Sequence, residues 1–290
     1  MRGKGKGSWG LSSKLEFPTV FLLCSVFFLA GIFGTMILSR DIRDQSRTRR
    51  LQEAFDEFSE DFTTMPHGET GDSSIDTIPF QVLSWKPRAL YFPKFATKEQ
   101  CQHVIKIAQS SLVPSSLAFR EGETKENTKG IRTSSGTFVS ASEDKSGILD
   151  LIEEKIAKVT MLPRTHGEAF NILRYEIGQR YHSHFDAFNP AEYGPQKSQR
   201  VASFLLYLSD VEGGGETMFP FENGLNVHSE YDYKKCVGLK VKPQLGDGLL
   251  FYSVYPNGTI DQYSLHGSCP VIKGEKWVAT KWIRDQEDYS

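Results

Sequence analysis

Residues 170–186 read FNILRYEIGQRYHSHFD. Two runs rich in aromatic and β-branched residues flank a break at Gly178, the pattern of short strands joined by a turn. The same composition recurs downstream in RVASFLLYLS (200–209), GLKVKP (238–243), GLLFYSVY (248–255) and KWVATKWI (276–283). Gly, Pro, Asn or Asp separates each run from the next. Upstream, FQVLSWKPRALYFPKF (80–95) carries further strand signals bounded by prolines. Between these blocks the apolar period changes from two to that of a helix. Thr97 and Gln100 form a capping-box pattern, after which Cys101, Val104, Ile105, Ala108 and Leu112 recur on one face. Ile148, Leu149, Ile152, Ile156 and Val159 do the same further on. Helices first and many short strands after imply an α+β fold with flanking N-terminal helices. Its core is expected to be a double-stranded β-helix, or jelly roll, with a pocket between the sheets. Arg120 to Gly130 is charged, Gly-containing and without apolar period, as expected of a mobile lid over that pocket. No solenoid repeat is present.

The chain of 290 residues has room for one sizeable domain and an appendage. Its formal net charge of -2 argues against a nucleic-acid partner held by bulk electrostatics. The appendage lies at the N-terminus, where FPTVFLLCSVFFLAGIFGTMIL (17–38) carries no charge and is long enough to cross a bilayer. The expected organisation is a cytoplasmic tail at 1–16, a transmembrane signal anchor at 17–38, a lumenal stem at 39–78 and a catalytic domain at 79–290. A cleaved signal peptide is the alternative for the apolar run. Basic residues flank the run on both sides in nearly equal number, so the positive-inside rule does not orient it. The sequon Asn257-Gly258-Thr259 and the cysteines favour a lumenal body, hence a single-pass type II protein of the endoplasmic reticulum or Golgi membrane. Cys24 lies in the apolar run, so Cys101, Cys236 and Cys269 can form at most one intramolecular disulfide in the body. Cys236 and Cys269 are the better pair because they flank strand-rich sequence; three reduced, buried thiols are the other reading.

His184-Phe185-Asp186 places an imidazole and a carboxylate two residues apart, on one face of an extended strand. Alone, such a tripeptide means little. His266, in SLHGSCP after a run of strand type, would complete a triad of two histidines and one carboxylate that leaves coordination positions open. A structural zinc site would close its shell instead, and no cysteine stands at a ligand spacing from His184. Ten residues past His266 comes Lys276, on one strand face with Val278, Thr280 and Trp282. A buried ammonium needs an anion, and the carboxylate of a metal-chelating 2-oxo acid would serve. A surface lysine on an edge strand is the plainer reading.

YEIGQRYHSHFD (175–186), GGGETMFP (213–220), GDGLLFYS (246–253), LHGSCPVIKGEKWVATKWI (265–283) and RTSSGTF (132–138) together resemble the prolyl 4-hydroxylase family of 2-oxoglutarate oxygenases. The likeness is greatest to its membrane-anchored plant and algal members and spans about Leu83 to Arg284. It implies that His184, Asp186 and His266 bind Fe(II) and that Lys276 pairs with the distal carboxylate of 2-oxoglutarate. Tyr175 and Thr217 would hydrogen-bond the same cosubstrate. Arg132, Ser134, Glu168, Tyr181, Arg200 and Trp282 match positions lining the family's peptide groove. O2 is the further cosubstrate and L-ascorbate the accessory reductant, and the substrate is a proline-rich polypeptide. His182 does not match the motif and is expected to be dispensable. Arg284 stands where relatives often carry histidine, and the segments at Phe188–Arg200 and around Cys236 are shorter. Two other readings fit the same scaffold: an oxygenase acting on another residue such as lysine, or a catalytically silent module that binds proline-rich partners.

Overall fold

Alternation along two neighbouring strands decides the layers. Phe204 and Leu206 pack with the helices on one face, while Leu205 and Tyr207 pack into the space between two sheets. Trp277 and Ala279 likewise oppose Val278 on the adjacent strand, so both strands are buried on both faces.

The computed structural model describes residues 27, 29, 78–227 and 230–287. The expected transmembrane span lies, apart from the exposed helical residues Phe27 and Leu29, outside the described residues, as does the stem up to residue 77. Among the described residues no helix is long and apolar enough to cross a membrane.

The elements in order are β1 (Gln81–Trp85), β2 (Arg88–Phe92), α1 (Lys98–Gln109), β3 (Val113–Pro114), β4 (Ser135–Val139) and α2 (Ile148–Thr160). There follow β5 (Phe170–Tyr175), β6 (Tyr181–His184), α3 (Pro190–Tyr193), β7 (Arg200–Tyr207), β8 (Gly213–Gly214) and β9 (Thr217–Phe219). The chain ends with β10 (Leu239–Val241), β11 (Gly248–Tyr252), β12 (His266–Ser268), β13 (Val271–Lys273) and β14 (Lys276–Arg284). The larger sheet has the order β1-β2-β11-β7-β14-β5-β4-β3, and the smaller is β10-β9-β12-β6. The paired strands of both sheets are antiparallel, and the inner faces of the two sheets enclose a cleft.

α1 starts where the sequence signals it and ends earlier than the apolar period suggests. Thr97 and Gln100 close the capping box of α1, and Cys101, Val104 and Ala108 are buried. Leu112 falls beyond its last turn. Leu149, Ile152 and Ile156 of α2 pack into the same layer, and Lys281 of β14 forms an ion pair with Glu153 of α2. The segment 120–130 differs from the expected free lid. Arg120 pairs with Glu192 at 2.8 Å, and Glu121 N donates to Glu192 O, so the loop rests on α3. The short α3 itself, capped by Asn189, carried too few residues to show a period.

Phe204 is fully buried, with its ring 4.6 Å from Phe95 and 5.8 Å from Phe92. Phe204→Ala is expected to lower the unfolding free energy by about 3–5 kcal/mol, measured by urea denaturation. A loss below about 1 kcal/mol would mean that this layer is not the core.

Candidate active site

β6 and β12 pair antiparallel with His184 opposite His266. Asp186 does not continue the strand as expected; β6 ends at His184 and the chain bends, yet the carboxylate still turns to the same side. Its Oδ1 lies 3.5 Å from His184 Nε2 and its Oδ2 3.5 Å from His266 Nε2. His266 opens β12 rather than following a strand.

Each imidazole is oriented through its other nitrogen. Nδ1 of His184 meets the carbonyl of His182 at 2.9 Å, and Nδ1 of His266 meets that of Ser264 at 2.9 Å. A carbonyl accepts from the ring N–H, so Nδ1 carries a proton in both rings and Nε2 is the atom turned to Asp186. Burial pushes His266 down to about 4, which keeps it neutral. Burial would raise the Asp186 carboxyl, but His266, His184 and Arg200 outweigh it and hold the group well below the usual carboxylate range. Ser203 Oγ on β7 donates to Asp186 Oδ2 at 2.6 Å. The three ligand atoms lie within 4.8 Å of one another. Two imidazole Nε2 atoms and one anchored carboxylate fit a divalent iron with coordination positions to spare.

Deeper in the cleft, Lys276 is 1% exposed. Nζ donates to Ser268 Oγ at 2.9 Å and lies 5.3 Å and 5.8 Å from the ring centroids of Tyr175 and Tyr207. Burial pushes its ammonium down to about 7, against the pull of Glu216. Thr217 Oγ1 accepts from the Tyr207 hydroxyl at 2.8 Å. Tyr175 pairs with Lys276 across β5 and β14, and burial raises its phenol. Lys276, Tyr175 and Thr217 all line this cleft, together with the three candidate ligands.

At the mouth, the Arg132 guanidinium lies 4.7 Å over the Tyr181 ring, and that ring stacks on His184 at 3.7 Å. Arg200 lies 3.7 Å over Trp282 and grips Glu168 with two bonds of 2.7 Å. Arg132, Tyr181 and Trp282 line the cleft. Ser134, Glu168 and Arg200 brace those residues: Arg132 Nε donates to Ser134 Oγ at 3.3 Å, and Arg284 Nε joins Glu168 at 2.8 Å. His182 does not line the cleft; its ring accepts from Arg180 Nε, and only its carbonyl serves His184.

Cys236 and Cys269 are disulfide-bonded with Cα atoms 5.5 Å apart, and Cys101 is free and buried. Asn257 is exposed in a turn, where its Oδ1 accepts from Thr259. Ser268, Ser203 and Tyr207 escaped the sequence reading. Ser268 stands two residues after His266, so strand parity could have flagged it; the other two sit in an apolar run without such a mark.

The sequence profile of the 2OG-Fe(II) oxygenase superfamily matches residues 170–284, which run from β5 through β14. Probable prolyl 4-hydroxylase 9 of Arabidopsis thaliana is 66% identical over 274 residues, covering 94% of this chain and 95% of the relative. Prolyl 4-hydroxylase 13 of the same plant is 56% identical, over 96% of this chain and 98% of the relative. The chain belongs to the prolyl 4-hydroxylase family. Among solved structures, the viral collagen prolyl hydroxylase of Paramecium bursaria Chlorella virus-1, in complex with 2OG, superposes with a TM-score of 0.51. Its identity is 26%, over 68% of this chain and 95% of that one. This family member is an Fe(II) and 2-oxoglutarate dependent oxygenase.

His184→Ala, Asp186→Ala and His266→Ala should each lose Fe(II) binding by calorimetry and all turnover, while the far-UV spectrum stays unchanged. His182→Ala should keep both, because the backbone carbonyl remains. Wild-type iron affinity in any of the first three would remove that residue from the centre.

Proposed function

We propose that this chain is a peptidyl-prolyl 4-hydroxylase acting on proline-rich secretory or cell-wall polypeptides. The observation that carries it is the pairing of an open His-Asp-His centre with a buried ammonium that has no ion-pair partner among the described residues, under a rim of Arg and aromatic side chains. Bound iron supplies the oxidative chemistry that couples loss of CO2 from 2-oxoglutarate to hydroxylation of a C–H bond.

The residues position everything else. Lys276 holds the distal carboxylate of 2-oxoglutarate, with Tyr175 and Thr217 beside it, in a wall that excludes water. Ser203 and the two backbone carbonyls keep the ligand set aimed, so no reorganisation is needed when the metal enters. Tyr181 covers one face of His184. Arg132, Tyr181 and Trp282, the last braced by Arg200, grip an extended peptide, whose stiff polyproline backbone loses little entropy on binding. L-Ascorbate keeps the iron reduced between turnovers.

We place residues 17–38 in the endoplasmic reticulum or Golgi membrane with the body lumenal. The uncharged run, the surface position of Asn257 for glycosylation and the Cys236–Cys269 disulfide support this orientation. The separation of Asp76–Ser290 as its own compact unit supports a catalytic domain that starts near residue 79.

Succinate release should rise when a proline-rich peptide is added, with a gain of 16 Da on proline by mass spectrometry. Oxidation of lysine instead would move the substrate class, and no peptide-dependent succinate would favour a binding module. Lys276→Ala should raise the 2-oxoglutarate KM by about 30-fold or more, since a buried carboxylate then loses its partner. Lys276→Arg should recover part of that loss. Because binding requires the protonated lysine and its free value is about 7, 2-oxoglutarate affinity should fall above that pH, by up to about tenfold per unit. A flat profile from pH 6 to 9 would separate Lys276 from the cosubstrate. In sealed microsomes the body should resist protease until detergent is added; digestion without detergent would invert the orientation.

A further inference from the structure

The larger sheet carries a second cavity, of about 450 Å³, and no residue lines both it and the catalytic cleft. Its base is Tyr252 with Val201 and Leu162, side chains that pack with the helical layer. One wall is the hairpin that follows β11, closed by the Val254–Ile260 bridge and by Tyr255 N donating to Thr259 O at 2.8 Å. Pro256 and Gly258 of that hairpin line the cavity, and the exposed Asn257 stands between them. Asn257 Oδ1 accepts from Thr259 N at 3.1 Å and from Thr259 Oγ1 at 2.7 Å, which leaves Nδ2 to carry a substituent. The Arg88 guanidinium lies 5.0 Å from the Tyr252 ring centroid and 5.4 Å from that of Tyr255. Its Nε is buried with no hydrogen-bond partner among the described residues. Native folds rarely leave such a donor unsatisfied.

From these observations, and resting on the lumenal orientation proposed above, we propose that this cavity seats the inner sugars of an N-linked glycan carried by Asn257. The seated glycan braces the turn that aims His266.

The lining selects a neutral, polyhydroxylated ring. A pyranose has C–H faces that pack on tyrosine and a rim of hydroxyls that both donate and accept. Oxygens of N-acetylglucosamine, the first sugar of such a glycan, satisfy Arg88 Nε, and its hydroxyl protons satisfy Asp285 in the same wall. An anion is disfavoured, because Arg88 already faces Asp261 at 3.7 Å and Asp285 adds a second carboxylate. The volume lies within the range of about 300–1,000 Å³ usual for small-molecule sites. A covalent tether holds the sugar beside the cavity at about millimolar effective concentration, so individually weak contacts suffice.

The cavity connects to the iron centre through Asp261, which is 1% exposed. Burial and a bond to the Asp261 carboxylate push the Tyr255 phenol up to about 12. Asp261 Oδ1 accepts from Tyr263 N at 3.0 Å, and its carbonyl accepts from Ser264 N at 2.9 Å and Ser264 Oγ at 2.7 Å. The Ser264 carbonyl meets His266 Nδ1 at 2.9 Å. A sugar packed on Arg88 and Tyr255 therefore limits the motion of the turn from which one iron ligand is oriented.

The test uses the full chain from a secretory system in three forms of identical sequence: glycosylated, trimmed by an endoglycosidase to one N-acetylglucosamine, and made with glycan transfer blocked. The first two should share a thermal midpoint. The third should melt about 2–4 °C lower and bind Fe(II) about threefold more weakly by calorimetry. Tyr255→Ala should erase the difference between the glycosylated and unglycosylated forms, whereas Tyr255→Phe should keep it. Equal midpoints in the three wild-type forms, or a glycan effect undiminished by Tyr255→Ala, would overturn the seat. Equal iron affinities would overturn the link to His266. Asn257 unmodified in a body that sealed microsomes protect would overturn the proposal alone, while digestion of the body without detergent would overturn the parent orientation.

Discussion

One strand, buried along both faces, organises this molecule. β14 runs through the middle of the larger sheet, so its residues must satisfy two different surroundings in alternation. Trp277, Ala279 and Ile283 meet the helical layer, which holds the sheet's curvature against α1 and α2. Lys276, Val278, Thr280 and Trp282 meet the cleft and grade it from a cation at one end to an indole at the other. A register slip of one residue would send Lys276 into the apolar helix face. The pairing of Lys276 with Tyr175 and of Trp282 with Ser203 therefore fixes the fold and the site by the same hydrogen bonds.

That arrangement carries a cost in stability. An unfolded Lys276 keeps its proton up to about pH 10.5, whereas the folded one loses it near 7. Between those values the unfolded chain binds more protons, so this residue's penalty shrinks as pH rises. Near neutrality the penalty is on the order of 4 kcal/mol, comparable with a large core truncation. The fold tolerates it because the surrounding layers are apolar and continuous, with Phe92, Phe95 and Phe204 stacked on the far side of the sheet. An anion of the right length removes the penalty on entry, which makes cosubstrate binding stabilising in its own right.

Much of this was legible in the amino-acid order. Alternation marked the strands, the Thr97–Gln100 pair marked the start of α1, and the His-x-Asp spacing with the later His and Lys marked the centre. The reason is that each depends on local period or on residue types that are rare inside a core. What escaped depends on register between distant strands. Ser203 reads as a stray polar residue in RVASFLLYLS until β7 is set beside the Asp186 bend. Strand parity also failed locally: Tyr181 and His184 both face the cleft although they are three residues apart, because the β6–β12 ladder carries an irregularity at that point.

The same irregularity explains why the iron ligand on β6 needs support from outside the sheet. β6 lies at the edge of the smaller sheet beside β12, and on its other side an isolated bridge joins Tyr181 to Arg132. Ser183 N donates to Tyr233 O at 3.3 Å, and the Ser183 and Tyr231 hydroxyls lie 2.9 Å apart. Tyr231 in turn donates to the carbonyl of Lys235, next to the disulfide that ties Cys236 to Cys269. Cys269 follows Ser268, the acceptor for Lys276. One covalent link thus braces His184 through the loop and Lys276 through β12. Two sites that must hold a single chelating molecule are kept at constant separation by a strut that belongs to neither.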